Sequence, residues 1–161
     1  MKPITAYIGL GSNIDDRKRH IVTAIDEINL LNAVHVMKRS SIYRSPPMAG
    51  MTQPDYFNAV IQVNTSLSPF ELLSALQMIE DTHGRTRTVK WGSRTLDLDL
   101  LVFGNAMIDT HVLTVPHYGL KERDFVLAPL CEIDEALVLP DGSRIKQLLS
   151  ELNKISAHKL S

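Results

Sequence analysis

The chain has 161 residues, 44% of them hydrophobic and 22% charged, with a formal net charge of −1, which is the balance of an ordinary globule long enough to bury a sizeable core. That balance excludes a dedicated DNA-binding protein, which would be strongly basic, and no run reaches the roughly 18 apolar residues of a membrane span. A lone cysteine, Cys131, excludes an internal disulfide. It fits a reducing, cytoplasmic setting, and its apolar neighbours mark it as a buried structural thiol rather than a nucleophile. Met1-Lys2-Pro3 leads straight into a strand pattern without the apolar core of a signal peptide.

In chain order, residues 4–10 read as a strand running into Gly9-Leu10-Gly11-Ser12-Asn13. Ile14 stands where a dinucleotide fingerprint needs its third glycine, so the glycines read as a tight strand-to-helix turn. Ser12 or Asn13 is then the expected cap of a helix whose apolar stripe is Ile21, Ile25, Ile28 and Leu31. Residues 34–43 have strand composition, and residues 45–55 form a loop rich in proline. Residues 56–63 alternate as a strand. Ser68, Pro69 and Glu71 write a capping box for a second helix with the stripe Leu72, Leu76 and Ile79, and Gly84 lies just past its end. Strands follow at 96–103 and 106–108, then a short buried segment at 125–130, helical or extended, a turn at Pro140-Asp141-Gly142 and a closing helix at 145–152.

The order strand, helix, strand, strand, helix, strand predicts an α+β fold, a ferredoxin-like βαββαβ sandwich in one domain over 1–161. Its sheet is expected to be mainly antiparallel, with helices on one face, the other face open to ligand and mobile loops over the site.

Two carboxylates carry the chemistry. In Leu96-Asp97-Leu98-Asp99-Leu100 the alternation is that of a strand, so Asp97 and Asp99 share one face about 7 Å apart. A solvated strand face gives the same bare pattern. The flank differs, because between Thr82 and Leu96 the chain holds Arg85, Arg87, Lys90 and Arg94, with His83 and Trp91 and no acid. Hard oxygen ligands suit Mg²⁺, and the cations suit the phosphates that Mg²⁺ accompanies. A cationic loop ending at paired carboxylates fits a lid over a metal–nucleotide. His117, beside Tyr118, Lys121 and Arg123, is a second candidate phosphate patch. Tyr56, Asn58, Trp91 and Phe125 could enclose a flat heterocycle or simply pack the core.

Several blocks occur in a familiar order: Gly11-Ser12-Asn13, Tyr43-Arg44-Ser45-Pro46-Pro47, Gln53-Pro54-Asp55-Tyr56-Phe57-Asn58, Gly84-Arg85, Trp91-Gly92-Ser93-Arg94-Thr95-Leu96-Asp97-Leu98-Asp99 and Val115-Pro116-His117. With them the chain resembles the 6-hydroxymethyl-7,8-dihydropterin pyrophosphokinase family over about residues 5–139. The resemblance implies transfer of the β,γ-diphosphate of ATP to the hydroxymethyl group of a reduced pterin, a step of folate biosynthesis. It implies that Asp97 and Asp99 hold two Mg²⁺ ions and that Arg85 and Arg94 are catalytic-loop arginines. Arg87, His117, Tyr118 and Arg123 match residues that grip ATP. Tyr56 and Phe125 match rings that sandwich the pterin, Asn58 an amide that reads its polar edge, and Ser45, Pro46 and Met48 the pocket lining, with Trp91 as the seal. The chain departs from familiar members at Val112, in place of an arginine directed at ATP, and at Thr88 and Ala49. Weaker ATP binding is the expected consequence of Val112.

The partners expected are thus ATP and a reduced pterin, with neither nucleic acid nor membrane, and a monomer. Three rivals share some of these features: a single-stranded RNA-binding module, a regulatory ligand-binding domain without turnover, and a phosphohydrolase using the same metal pair. The RNA reading lacks the aromatic motif of such sheets.

Overall fold

The computed structural model describes residues 2–47, 54–84, 95–153 and 155–160. Its elements are β1 (Ile4–Ser12), α1 (Arg17–Leu30), β2 (Val34–Arg39), β3 (Tyr43–Ser45), β4 (Tyr56–Thr65), α2 (Pro69–Thr82), β5 (Asp97–Phe103), β6 (Ile108–Asp109), β7 (Thr114–Val115), α3 (Asp124–Asp134), α4 (Ile145–Ser150) and β8 (His158–Lys159), with a 3-10 turn at Leu120–Glu122. The main sheet runs β5-β1-β4-β3-β8, and β2 also pairs with β4. Every pairing in it is antiparallel. β6 and β7 make a separate two-stranded sheet.

Strand alternation sorts the side chains into two layers. On one face Ala6, Ile8 and Leu10 of β1 join Ala59, Ile61 and Val63 of β4 and Leu98 and Leu100 of β5. Ile21, Ala24, Ile25 and Ile28 of α1 and Leu72, Leu76 and Ile79 of α2 close that core. Each fully buried Leu or Ile there stabilises the fold by about 1.5–3 kcal/mol. The opposite face is only half open, which corrects the expectation of a bare ligand face. Tyr7, Val60, Leu101 and Val102 lie in a second core with Val126, Leu127 and Leu130 of α3 and Ile145 of α4.

Local chemistry explains where the elements begin and end. The capping box of α2 is present, with Glu71 N–H donating to Ser68 Oγ at 3.1 Å and Ser68 N–H to Glu71 Oε1 at 2.9 Å. The cap of α1 is Asp16, whose carboxylate accepts from Arg19 N–H at 3.3 Å. Ser12 and Asn13 cannot serve, because β1 runs on to Ser12 and both residues are buried. The strand expected at 34–43 is broken into β2 and β3. Ser40 N–H donates to the Val60 carbonyl, but its hydroxyl, not a carbonyl, takes the Val60 N–H, each at 2.9 Å. The segment at 125–130 resolves as helical, within α3. Among the described residues no helix is long and apolar enough to cross a membrane.

Candidate active site

Register brings the polar residues of the sheet into line. Tyr43 pairs with Asn58, Asn58 with Gly11, and Gly11 with Asp97, so one transverse row crosses β3, β4, β1 and β5. The next row pairs Val60 with Gly9 and Gly9 with Asp99. Gly9-Leu10-Gly11 is therefore not a turn, as its composition suggested, but strand. Its glycines face the same side as the two aspartates. Without a Cβ at Gly11, the floor between Asn58 and Asp97 is bare backbone. A methyl there would stand 3.3 Å from Asn58 Oδ1 and 4.0 Å from Asp97 Cβ.

Asn58 and Ser45 are both buried, and Asn58 Nδ2 donates to Ser45 Oγ at 2.7 Å. That bond fixes the amide plane and leaves its oxygen turned toward Gly11. Tyr56 pairs in register with Ser45 and so lies on the same face. Its approach is stapled from behind. Arg44 Nε meets Asp55 Oδ2 at 3.1 Å, and Arg17 donates to the Asp55 carbonyl at 2.7 Å while stacking on Phe57 at 4.0 Å.

A second group stands over Asp99. His117 N–H donates to the Leu101 carbonyl at 2.9 Å, tying its loop to β5. His117 Nδ1 accepts from Gly119 N–H at 3.1 Å, so the ring proton sits on Nε2, which faces Asp99 Oδ1 at 3.9 Å. Burial, followed by the positive Arg123, pushes the imidazole down to about 4, so His117 is neutral at pH 7. It stacks on Tyr118, with centroids 4.5 Å apart. The Arg123 guanidinium sits 5.6 Å from the Tyr118 ring and 5.8 Å from Phe125. Gly119 permits this, since a Cβ there would fall 2.6 Å from Arg123 Cζ. Lys121, counted with this patch in the sequence, is instead paired with Asp141.

Ser45, Asn58, Gly11 and Asp97 thus form one contiguous group, and Asp99, His117, Tyr118, Arg123 and Phe125 another, joined through Leu98. Phe125, second residue of α3, packs on the second core, and Pro46 follows β3 at the exposed rim. Met48, Arg85, Arg87, Trp91 and Arg94 lie outside the described residues, as do Ala49 and Thr88. The sequence reading missed the glycine floor and Glu80. This carboxylate of α2 is 3% exposed and accepts the Leu98 N–H, between the two aspartates, at 2.8 Å. Glycines two apart inside a strand pattern were the available signal for the floor.

The donor set suits a hard cation. Asp97 and Asp99 offer carboxylate oxygens from one strand face, and among the described residues no third His, Cys, Asp or Glu joins them in a metal cage. Mg²⁺ is commonly held this way, by one or two carboxylates with its other ligands drawn from phosphate oxygens and water.

Fold and donors together define a class: a mixed α/β protein on an antiparallel sheet, with two carboxylates and an oriented amide at the polar end of one face. The family model described as 7,8-dihydro-6-hydroxymethylpterin-pyrophosphokinase matches residues 7–135. A Haemophilus influenzae 2-amino-4-hydroxy-6-hydroxymethyldihydropteridine pyrophosphokinase is 46% identical over 148 residues, covering 92% of each chain. The Bacillus subtilis protein of the same name is 49% identical over 128 residues, 80% of this chain and 77% of its own. The folic acid synthesis protein fol1 of Schizosaccharomyces pombe is 39% identical over 135 residues, 84% of this chain and 18% of its own. A crystal structure of HPPK-DHPS in complex with substrates superposes with a TM-score of 0.79 over 99% of this chain. This chain spans 47% of that one at 12% identity, so the likeness is one of fold. The chain belongs to the 7,8-dihydro-6-hydroxymethylpterin-pyrophosphokinase family and is an enzyme of that class.

Proposed function

We propose that this enzyme transfers the β,γ-diphosphate of ATP to the hydroxymethyl oxygen of 6-hydroxymethyl-7,8-dihydropterin, releasing AMP. The hydroxymethyl oxygen forms the new bond to the β-phosphorus as the bond from that phosphorus to the α–β bridging oxygen breaks. The hydroxyl proton leaves to solvent. The observation that carries the reading is the row Asn58–Gly11–Asp97. It spans two strand spacings, about 10 Å, and sets an amide that can read a heterocycle edge opposite a carboxylate, with nothing but backbone between.

In this reading Asn58, oriented by Ser45, reads the polar edge of the pterin, while Tyr56 and Phe125 flank its faces and Pro46 and Met48 line the rim. The hydroxymethyl arm then points along the row toward Asp97. Asp97 and Asp99 would hold two Mg²⁺ ions, which neutralise phosphate charge and favour in-line displacement when bound. Arg123, beside the Tyr118 ring that stacks on His117, holds the nucleotide phosphates. A neutral His117 donates from Nε2 without adding charge. Arg85, Arg87 and Arg94 are assigned to the diphosphate, and Trp91 to sealing the pocket against water.

The strand order β5-β1-β4-β2, with α1 and α2 in one core, supports a ferredoxin-like sandwich. We take the chain as a single pyrophosphokinase domain working as a cytoplasmic monomer. The test is AMP release from ATP with Mg²⁺, with and without the pterin. Pterin-dependent AMP, matched by pterin diphosphate and lost in Asp97→Ala and Asp99→Ala, supports the reading. AMP or phosphate formed without pterin would replace it with a hydrolase.

A further inference from the structure

Asp124 is the first residue of α3, sits between Arg123 and Phe125, and is 7% exposed. A carboxylate in the first turn of a helix commonly serves that helix's own N–H groups. The hydrogen bonds of Asp124 go elsewhere. Its Oδ2 accepts Ser156 N–H at 2.6 Å and Ala157 N–H at 2.7 Å, with the Ser156 hydroxyl at 3.4 Å. These donors belong to the C-terminal segment 155–160, more than 30 residues away in sequence.

That segment is anchored at its other end to the opposite wall. In β8, His158 pairs with Arg44 and Lys159 with Tyr43, and Leu160 N–H donates to the Ile42 carbonyl at 2.9 Å. Lys159 Nζ also lies 4.0 Å from Glu132 of α3, which itself accepts from Ser41 and Tyr43, so the far end of α3 is already tied to this wall. β3 ends at Ser45, the partner of Asn58. Glu132 and the second core hold the body of α3 to the sheet, and the short segment 155–160 adds the tie at its Arg123–Phe125 end.

We infer that residues 155–160 act as a strap whose attachment to Asp124 sets the spacing between the Arg123–Phe125 wall and the Ser45–Asn58 floor, which makes Asp124 a positioning residue for the reduced pterin. Charge-assisted hydrogen bonds to a buried carboxylate are among the stronger ones in a protein, and losing the acceptor strands two backbone donors. The first turn of α3 loses that hold while the rest of the helix stays packed in the second core, and displacements of about 1 Å are costly at such sites. The role rests on the proposed function for both the placement of the pterin and the kinetic readout.

The experiment compares Asp124→Ala and Asp124→Asn in the full chain. Asn retains a side-chain carbonyl for the same two N–H groups. Readouts are equilibrium pterin binding, the KM values for pterin and ATP, the Mg²⁺ concentration for half-maximal rate, and amide hydrogen exchange at Ser156 and Ala157. Expected in Asp124→Ala is fast exchange at both amides and a pterin KM raised about tenfold or more. The Mg²⁺ dependence, set by β5, should stay unchanged, and Asp124→Asn should recover most of the loss. If Asp124→Ala does not fold, Ser156→Pro removes the shorter backbone bond from the other side and should act in the same direction. Fast exchange with an unchanged pterin KM would make the strap merely structural and overturn the inference. Amides that stay protected without the carboxylate would overturn it too. Exchange and equilibrium pterin binding need no turnover, so failure of the proposed reaction is told apart from failure of the strap.

Discussion

Replacing Gly11 by alanine separates stability from binding at a single atom. The new Cβ would stand 3.3 Å from Asn58 Oδ1, 3.9 Å from the Phe57 carbonyl and 4.0 Å from Asp97 Cβ. The first contact is tight, and the amide cannot swing away freely because Ser45 holds its nitrogen at 2.7 Å. Against that strain, alanine recovers roughly 0.5–1 kcal/mol that glycine forfeits inside a strand. The two effects nearly cancel, so stability should change by less than about 1 kcal/mol, or roughly 2–4 °C in Tm for a chain of this size. Binding is different, because the methyl projects into the floor on which the pterin is proposed to lie. Overpacking of about 1–3 kcal/mol there corresponds to a pterin affinity lower by roughly 5- to 150-fold. Thermal unfolding gives the first number and the pterin KM in AMP release gives the second. An unchanged Tm together with an unchanged KM would refute the glycine floor. Gly9→Ala, whose Cβ has the Leu101 side chain as its nearest neighbour at 3.4–3.6 Å, lies one row along and should test the same floor beside Asp99.

Val112 is 67% exposed on the turn between β6 and β7. The hydroxyl of Thr110 holds that turn by accepting Val112 and Leu113 N–H. Val112→Arg therefore has room for its side chain and should lower the KM for ATP several-fold, about 1 kcal/mol for an exposed cation; an unaltered KM would count against it. At the α1–α2 contact His20 Nδ1 lies 2.7 Å from His83 Nδ1, and His83 Nε2 lies 2.5 Å from Glu27, with Asp15, Asp16 and Arg19 around the same cavity. Burial first and His83 second hold the His20 imidazole below its ordinary 6.5. The unfolded chain therefore binds the extra proton more readily, and stability present above about pH 6.5 should be lost as pH falls. Melting curves from pH 8 to pH 5 should show this decline, and His20→Gln should make it shallower while the part due to the lowered His117 imidazole remains. Ala33 has φ +67°, in the left-handed region. Ala33→Gly should raise stability by about 0.5–1 kcal/mol once the extra freedom of glycine in the unfolded chain is subtracted; a lower Tm would show that this turn is not strained.

What the sequence determined by itself is whatever depends on near neighbours. The capping box at Ser68 and Glu71 is written within four residues and is present as read. The alternation that puts Asp97 and Asp99 on one face needs only the pleat of a strand, and β5 supplies it. Ordered blocks of residues also pointed to the family, and the match over residues 7–135 shows it. Tertiary structure decided everything that hangs on register between distant strands. The Gly9 and Gly11 pair looked like a turn until β4 and β5 were laid on either side of β1 and made it a floor. Asp16 became the cap of α1 because β1 kept Ser12 for the sheet. The break between β2 and β3 came from one Ser40 hydroxyl meeting Val60, and the reach of Asp124 to Ser156 crosses 32 residues of chain. Local propensity specifies hydrogen bonds a few residues long. Longer bonds form only after loop closure has been offset by burial of the two cores, so their partners are set by packing and cannot be read along the chain.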